Sequence, residues 1–172
     1  MKKIIALVLL IITIYILIGN SFSNKIIIPE EAIRVRVIAN SNTEYDQSIK
    51  KEVKEVLKID FINMFKNINN INDFRKELVS NLSIITNDIK ELLDKYNMDF
   101  DINYGLNYFP KKEFKDIVYD EGYYESLVVT LGSGLGDNWW CVLFPPLCMI
   151  EASESSNIEY TTLVSELINK YF

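Results

Sequence analysis

The spacing of apolar residues shifts from a helical to a strand period midway along this chain, and that shift limits its fold more than any other feature. Between Glu44 and Ile68, the residues Ile49, Val53, Val56, Leu57, Phe61, Met64, Phe65 and Ile68 recur at intervals of three and four, which stacks them on one helical face. Thr43 stands before this run as an N-cap, with Asp46 three residues on. A second run from Asp73 to Tyr96 repeats the pattern through Phe74, Leu78, Leu82, Ile85, Ile89, Leu92 and Tyr96. Asn69-Asn70-Ile71-Asn72 separates the two, so they predict a helical hairpin. From Asp101 to Phe109 the period drops to two, with Ile102, Tyr104, Leu106 and Tyr108 alternating with Asp101, Asn103, Gly105 and Asn107.

Other segments fit the same division. Ile33 to Ala39 reads as a strand with Ile33, Val35, Val37 and Ala39 on one side and Arg34 and Arg36 on the other. Strands are predicted over Phe114 to Tyr119 and Tyr124 to Leu131, with Glu121-Gly122 as the turn between them. The apolar piece Trp139 to Phe144 stops at Pro145-Pro146, because proline has no N–H for a sheet ladder. Leu163, Val164, Leu167 and Ile168 place a closing helix over Thr161 to Tyr171. Segregated helices and consecutive strands predict an α+β fold, a helical hairpin packed on a mostly antiparallel sheet.

The chain starts Met1-Lys2-Lys3, continues with 15 mostly apolar residues from Ile4 to Ile18, and then reads Gly19-Asn20-Ser21-Phe22-Ser23. A basic start, an apolar centre and small residues match a secretory signal, with cleavage after Ser23; retention as an N-terminal anchor is the alternative. The apolar run is shorter than the about 20 residues of a bilayer span. Either way the reading divides the chain into a targeting segment, 1–23, and one exported domain, 24–172, whose only membrane association is through that segment.

Histidine is absent. Within this chain a Ser-His-Asp triad, a Cys-His pair and a His-ligated zinc are therefore impossible. The 18 basic and 24 acidic side chains give −6, and without Lys2 and Lys3 the exported part carries 16 against 24, or −8. Nucleic-acid binders carry the opposite surplus, so DNA and RNA are not expected partners. An acidic domain is also repelled by anionic membranes. No cofactor is expected.

Gly132-Ser133-Gly134-Leu135-Gly136 follows a strand, but its spacing is not Gly-x-Gly-x-x-Gly. No helix or P-loop lysine follows it, so it reads as a flexible turn and not a phosphate loop. Cys141 and Cys148 bracket Pro145-Pro146; export favours a structural disulfide between them, and two buried free thiols are the alternative. Trp139 and Trp140 are adjacent and face opposite ways on a strand. Either both are covered by other elements, or one ring, with Phe144 and the Pro145-Pro146 turn, joins a partner-binding patch. Asp46, Asp101, Asp120, Glu121, Glu125 and Asp137 are candidate acids for a carboxylate-dependent hydrolase by residue type, although nothing in their spacing selects a pair.

Two blocks carry a family resemblance. The first is Arg36-Val37-Ile38-Ala39-Asn40-Ser41 followed by Asp46-Gln47, Lys50 and Val53; the second is the unbroken Asn138-Trp139-Trp140-Cys141-Val142-Leu143-Phe144-Pro145-Pro146-Leu147-Cys148. With Tyr104-Gly105, Phe109-Pro110 and Gly122-x-Tyr124-Glu125-x-Leu127 between them, the sequence resembles the stage II sporulation protein R family of spore-forming bacteria. It departs from that pattern at Lys115, Val128 and Ser133. The resemblance implies a protein made in the forespore and exported across its membrane. There it would activate a membrane-embedded aspartic peptidase that processes the precursor of sigma-E. The implied role is that of an activator, with an exported cell-wall hydrolase as the alternative. On this reading Asn40, Ser41, Asp46, Gln47, Trp139, Trp140, Phe144, Pro145 and Pro146 are the candidate partner-binding residues. For Asn40-Ser41 an ordinary strand-to-helix turn is the competing role.

Overall fold

A computed structural model describes residue 12 and residues 26–65, 68–114, 117–149 and 157–171. The expected targeting segment, 1–23, lies outside the described residues apart from Ile12. Among the described residues no helix is long and apolar enough to cross a membrane. In chain order the elements are β1 (Ile26–Ile27), β2 (Ile33–Ile38), α1 (Glu44–Phe65), α2 (Ile71–Asp94), β3 (Phe100–Phe109), β4 (Lys112–Phe114), β5 (Ile117–Tyr119), β6 (Gly122–Leu131), β7 (Asn138–Phe144), a single 3-10 turn at Leu147–Met149, and α3 (Asn157–Tyr171).

Both long helices begin where side chains meet their free N–H groups. Thr43 Oγ1 accepts from Asp46 N at 3.2 Å, with Glu44 and Asp46 in the first turn of α1. Asn70, from the expected separator, caps α2 by accepting from Asp73 N at 2.9 Å. The hairpin buries Ile49, Val53, Leu57, Phe61 and Phe65 of α1 with Phe74, Leu78, Ile85, Ile89 and Leu93 of α2. These pack on Ile33, Val35 and Val37 of β2 and on Leu127, Val129 and Leu131 of β6.

The main sheet runs β3-β6-β2-β7, and a small second sheet runs β1-β5-β4. The fold is α+β, and its sheet is mixed where mostly antiparallel pairing was expected. β3 pairs with β6 and β7 with β2 in antiparallel fashion, but the central β2–β6 ladder is parallel. The cause is the connection: the chain leaves β2, builds the hairpin and β3, and re-enters through β6, a crossover long enough to return in the same direction. The single strand expected over Phe114 to Tyr119 is replaced by β4 and β5, two short strands paired antiparallel in the small sheet. A second, smaller core of Ile28, Ala32, Val142, Leu147 and Val164 joins β1, β7 and α3 on the side of β2 away from the hairpin.

Candidate functional site

The order β6-β2-β7 determines what the glycine segment must do. β6 and β7 flank β2, so residues 132–137 do not close a hairpin; they cross the end of β2 between strands about 10 Å apart. The crossing lies directly on Asn40 and Ser41. Asn40 Oδ1 accepts from Ser133 N at 2.8 Å, Leu135 N donates to Asn40 O at 3.1 Å, and Gly136 N donates to Ala39 O at 2.8 Å. Gly132 adopts φ +52°, and a Cβ there would strike Asn40 Oδ1; at Gly136 a Cβ would strike the Ser41 carbonyl oxygen. The expected flexible turn is therefore a pinned loop.

The sequence-predicted polar residues join the same cluster. Asn40 Nδ2 donates to Asp46 Oδ2 at 2.9 Å, and Ser41 Oγ donates to the same oxygen at 2.5 Å. The hydrogen bond from Ser41 holds the Asp46 carboxyl below its ordinary range, helped by Asn40 and Thr43 against the opposing effect of burial. Gln47 Nε2 donates to Ser41 O at 2.9 Å, and Lys50 Nζ donates to Gln47 Oε1 at 2.5 Å and to Asp137 O at 2.8 Å. Asn40, Ser41, Asp46 and Gln47 thus bond to one another and to the loop, and their first chemical effect is to fix the register of α1 against the end of the sheet.

The two tryptophans fall on opposite faces. Trp139 packs toward the hairpin core, with Lys54 Nζ 5.6 Å from its ring. Trp140 lies on the other face, paired in register with Arg36. Arg36 Cζ lies 5.5 Å and Lys112 Nζ 4.9 Å from its ring, and Phe109 meets it edge-on at 5.3 Å. Arg34, two residues earlier on β2, is only 1% exposed, with its guanidinium 3.3 Å over Tyr124 and further out over Phe109 and Tyr119. Burial pushes the Arg34 pKa down, and Tyr124, Tyr119 and Asp120 oppose that shift without cancelling it. Burial alone lowers that of Arg36.

Phe144 requires a correction. It is 2% exposed and packs on Phe74 at 5.2 Å and Tyr171 at 4.9 Å, because a register shift at Ile33/Arg34 turns the end of β7 into the hairpin core. A ring enclosed this way cannot form part of a contact patch. Pro145 is buried as well, after a cis Phe144–Pro145 peptide, while Pro146 is half-buried. Cys141 on β7 and Cys148 in the 3-10 turn are bonded to each other across this corner, with their Cα atoms 5.6 Å apart.

The six candidate acids do not converge. Glu125 faces the hairpin, where Arg75 Nε and Nη2 each reach it at 2.8 Å and the Tyr104 hydroxyl donates to it. Burial opposes its charge, but the bonds from Arg75 and Tyr104 outweigh this and hold its carboxyl below the ordinary range. The close acid pair that sequence reasoning missed is Asp60 and Asp88, in a groove between α1 and α2 beside Glu91 and Lys95. Burial and the neighbouring Asp88 push the Asp60 carboxyl up to about 6. A signal was present: Asp60 occupies the apolar stripe between Leu57 and Phe61, and Asp88 the stripe between Ile85 and Ile89. Among the described residues no cluster of three potential metal ligands occurs.

The fold and site define an α+β module without histidine, organised around a loop pinned at one sheet end and an arginine–aromatic face. The family model described as Stage II sporulation protein R (spore_II_R) matches residues 29–154. The Stage II sporulation protein R of Bacillus subtilis (strain 168) is 34% identical over 142 residues, which cover 81% of this chain and 63% of that relative. This chain therefore spans less than two thirds of the length of the curated relative. No solved structure matches it. The chain belongs to the stage II sporulation protein R family.

Proposed function

We propose that the domain is exported from the forespore into the space facing the mother cell and there activates the membrane-embedded aspartic peptidase that processes pro-sigma-E. The observation that carries this reading is family membership over residues 29–154, a range that takes in both the pinned loop and the arginine–aromatic face. The absence of histidine and the dispersal of the six candidate acids favour action by contact over action by bond cleavage. For contact to activate, the domain must bind the active arrangement of the peptidase more tightly than the inactive one.

Trp140 is the residue best placed to make that contact. It is half-exposed on the face the hairpin leaves open, whereas Asn40, Ser41, Asp46 and Gln47 act behind it by holding the loop that leads into β7. Trp140→Ala is expected to abolish precursor processing in sporulating cells while the protein stays folded and exported, and normal processing by that variant would remove the patch from consideration. The hydrolase alternative has one structural foothold, the Asp60–Asp88 pair. Full processing by Asp60→Asn disposes of it.

A further inference from the structure

The chain is acidic, yet three of its cations gather where none of them forms an ion pair. Lys54, Lys58, Arg75, Lys76, Lys90 and Lys111 each lie within ion-pair distance of a carboxylate. Arg34, Arg36 and Lys112 do not, among the described residues, and all three stand over the rings of one aromatic group: Phe109, Tyr124 and Trp140. The carboxylate with the strongest influence on Arg34 is that of Asp120, and it is paired to Lys111 at 3.7 Å.

The unmet hydrogen-bonding groups point the same way. Among the described residues, Arg34 Nε, Nη1 and Nη2, Arg36 Nε and Trp140 Nε1 are buried donors without a hydrogen-bond partner. Proteins rarely leave such groups unsatisfied, and a charged one loses most by it. The one unmet acceptor nearby, Asn138 Oδ1, lies one step along the same ladder, opposite Ile38. The face therefore supplies donors and positive charge between aromatic walls, and among the described residues no carboxylate pairs with them.

We propose that this face docks an acidic side chain, Asp or Glu, of a protein partner, with the carboxylate received between Arg36 and Lys112 at the edge of the Trp140 ring. Arg34 is sealed beneath and contributes its field without touching the ligand. A protein carboxylate fits better than a polyanion because the favourable region is small. Asp101 lies exposed at the far edge of the same sheet face, and the domain as a whole is strongly acidic, so a membrane or polynucleotide would meet repulsion around the patch. The proposal deepens the receptor-binding reading and rests on it for the identity of the partner.

The test uses the full chain and its two tryptophans as reporters. A synthetic peptide of alternating Glu and Ser is titrated while tryptophan fluorescence is followed, with a Gln/Ser peptide and inorganic phosphate as the comparison arms. Saturable binding of the Glu peptide is expected, weakened about tenfold in both Arg36→Gln and Lys112→Gln and absent for the Gln peptide. Equal binding of the Gln peptide, unchanged affinity in both variants, or equal displacement by phosphate overturns the proposal. Capture of the membrane peptidase by wild-type chain and undiminished by Arg36→Gln would sink this inference alone. Binding of the Glu peptide without any capture of the peptidase would sink the receptor reading alone.

Discussion

The two faces of the main sheet treat charge in opposite ways. On the face under the helical hairpin, Glu125 is held by Arg75 and Tyr104 at the edge of an apolar core that includes Leu127 and Val129. On the other face, Arg34 and Arg36 of the same central strand lie on aromatic rings with their donors unmet. One face resolves its polar groups internally and serves stability. The other retains charge with no ion pair among the described residues, at a cost that burial makes large.

The largest effect expected from disturbing this contrast lies on the hairpin side. Phe74 is 1% exposed between Phe65, 3.9 Å away, and Phe144. Phe74→Ala removes a ring that both neighbours pack against and is expected to cost about 3–5 kcal/mol, read as a lower urea midpoint with an unchanged slope. A loss below about 1 kcal/mol would mean that the hairpin side is not the stabilising one.

The same kind of substitution on the open face should act in the other direction. Arg34 gains about 2 kcal/mol from a desolvated cation–π contact, less than the several kcal/mol that an unpaired buried ion costs. Arg34→Met is therefore expected to raise stability by about 1–3 kcal/mol and, under the proposed function, to reduce processing of the sigma-E precursor. A variant that is both less stable and fully active would erase the distinction between the faces.

How far these faces were legible in the sequence follows from the same residues. Alternation along Ile33 to Ala39 separates the valines from the arginines, and the adjacency of Trp139 and Trp140 assigns them to opposite sides, because parity is a local property of a strand. What lies over each side is not local. Nothing near Arg34 in sequence shows that Phe109, Tyr119 and Tyr124, more than 70 residues on, will bury it. The insertion of β2 between β6 and β7 is equally non-local, and it turns a glycine-rich stretch that reads as a flexible turn into a loop pinned on Asn40. The side taken by Phe144 is illegible for a related reason, since a one-residue register shift sends its ring into the hairpin core.

Within the hairpin side, Asp60 is an exception that can be tested by pH. It is 9% exposed beside Asp88, and its carboxyl is pushed up to about 6 from an ordinary 3.8. The folded state therefore holds its proton more tightly than the unfolded state, so stability falls as pH rises from about 4 to about 6 and stays lower above that range. By linkage the loss is up to about 3 kcal/mol. Asp60→Asn is expected to recover most of it at pH 7.5 and to flatten the pH dependence of the urea midpoint across that window. A midpoint for the variant below that of wild type at pH 7.5 would show that the carboxylate is stabilising where it stands.

Glu125 supplies the opposite sign with a smaller amplitude. Its folded pKa is depressed, so its contribution is complete above the unfolded value near 4.5 and is lost as pH falls through the lower folded value. The pair is partly exposed, with 37% of the Arg75 side chain and 24% of that of Glu125 reached by solvent, so water screens it. Glu125→Gln is expected to cost about 1 kcal/mol at pH 7 and progressively less as pH falls below 4.5 toward and through the lowered folded value. Asp60→Asn should then change only the neutral limb of the stability profile and Glu125→Gln only the acid side of the same curve. If the cost of Glu125→Gln did not decline at all as the pH was lowered below 4.5, its carboxylate would be acting through packing alone, and the hairpin face could no longer be said to settle its charges by pairing.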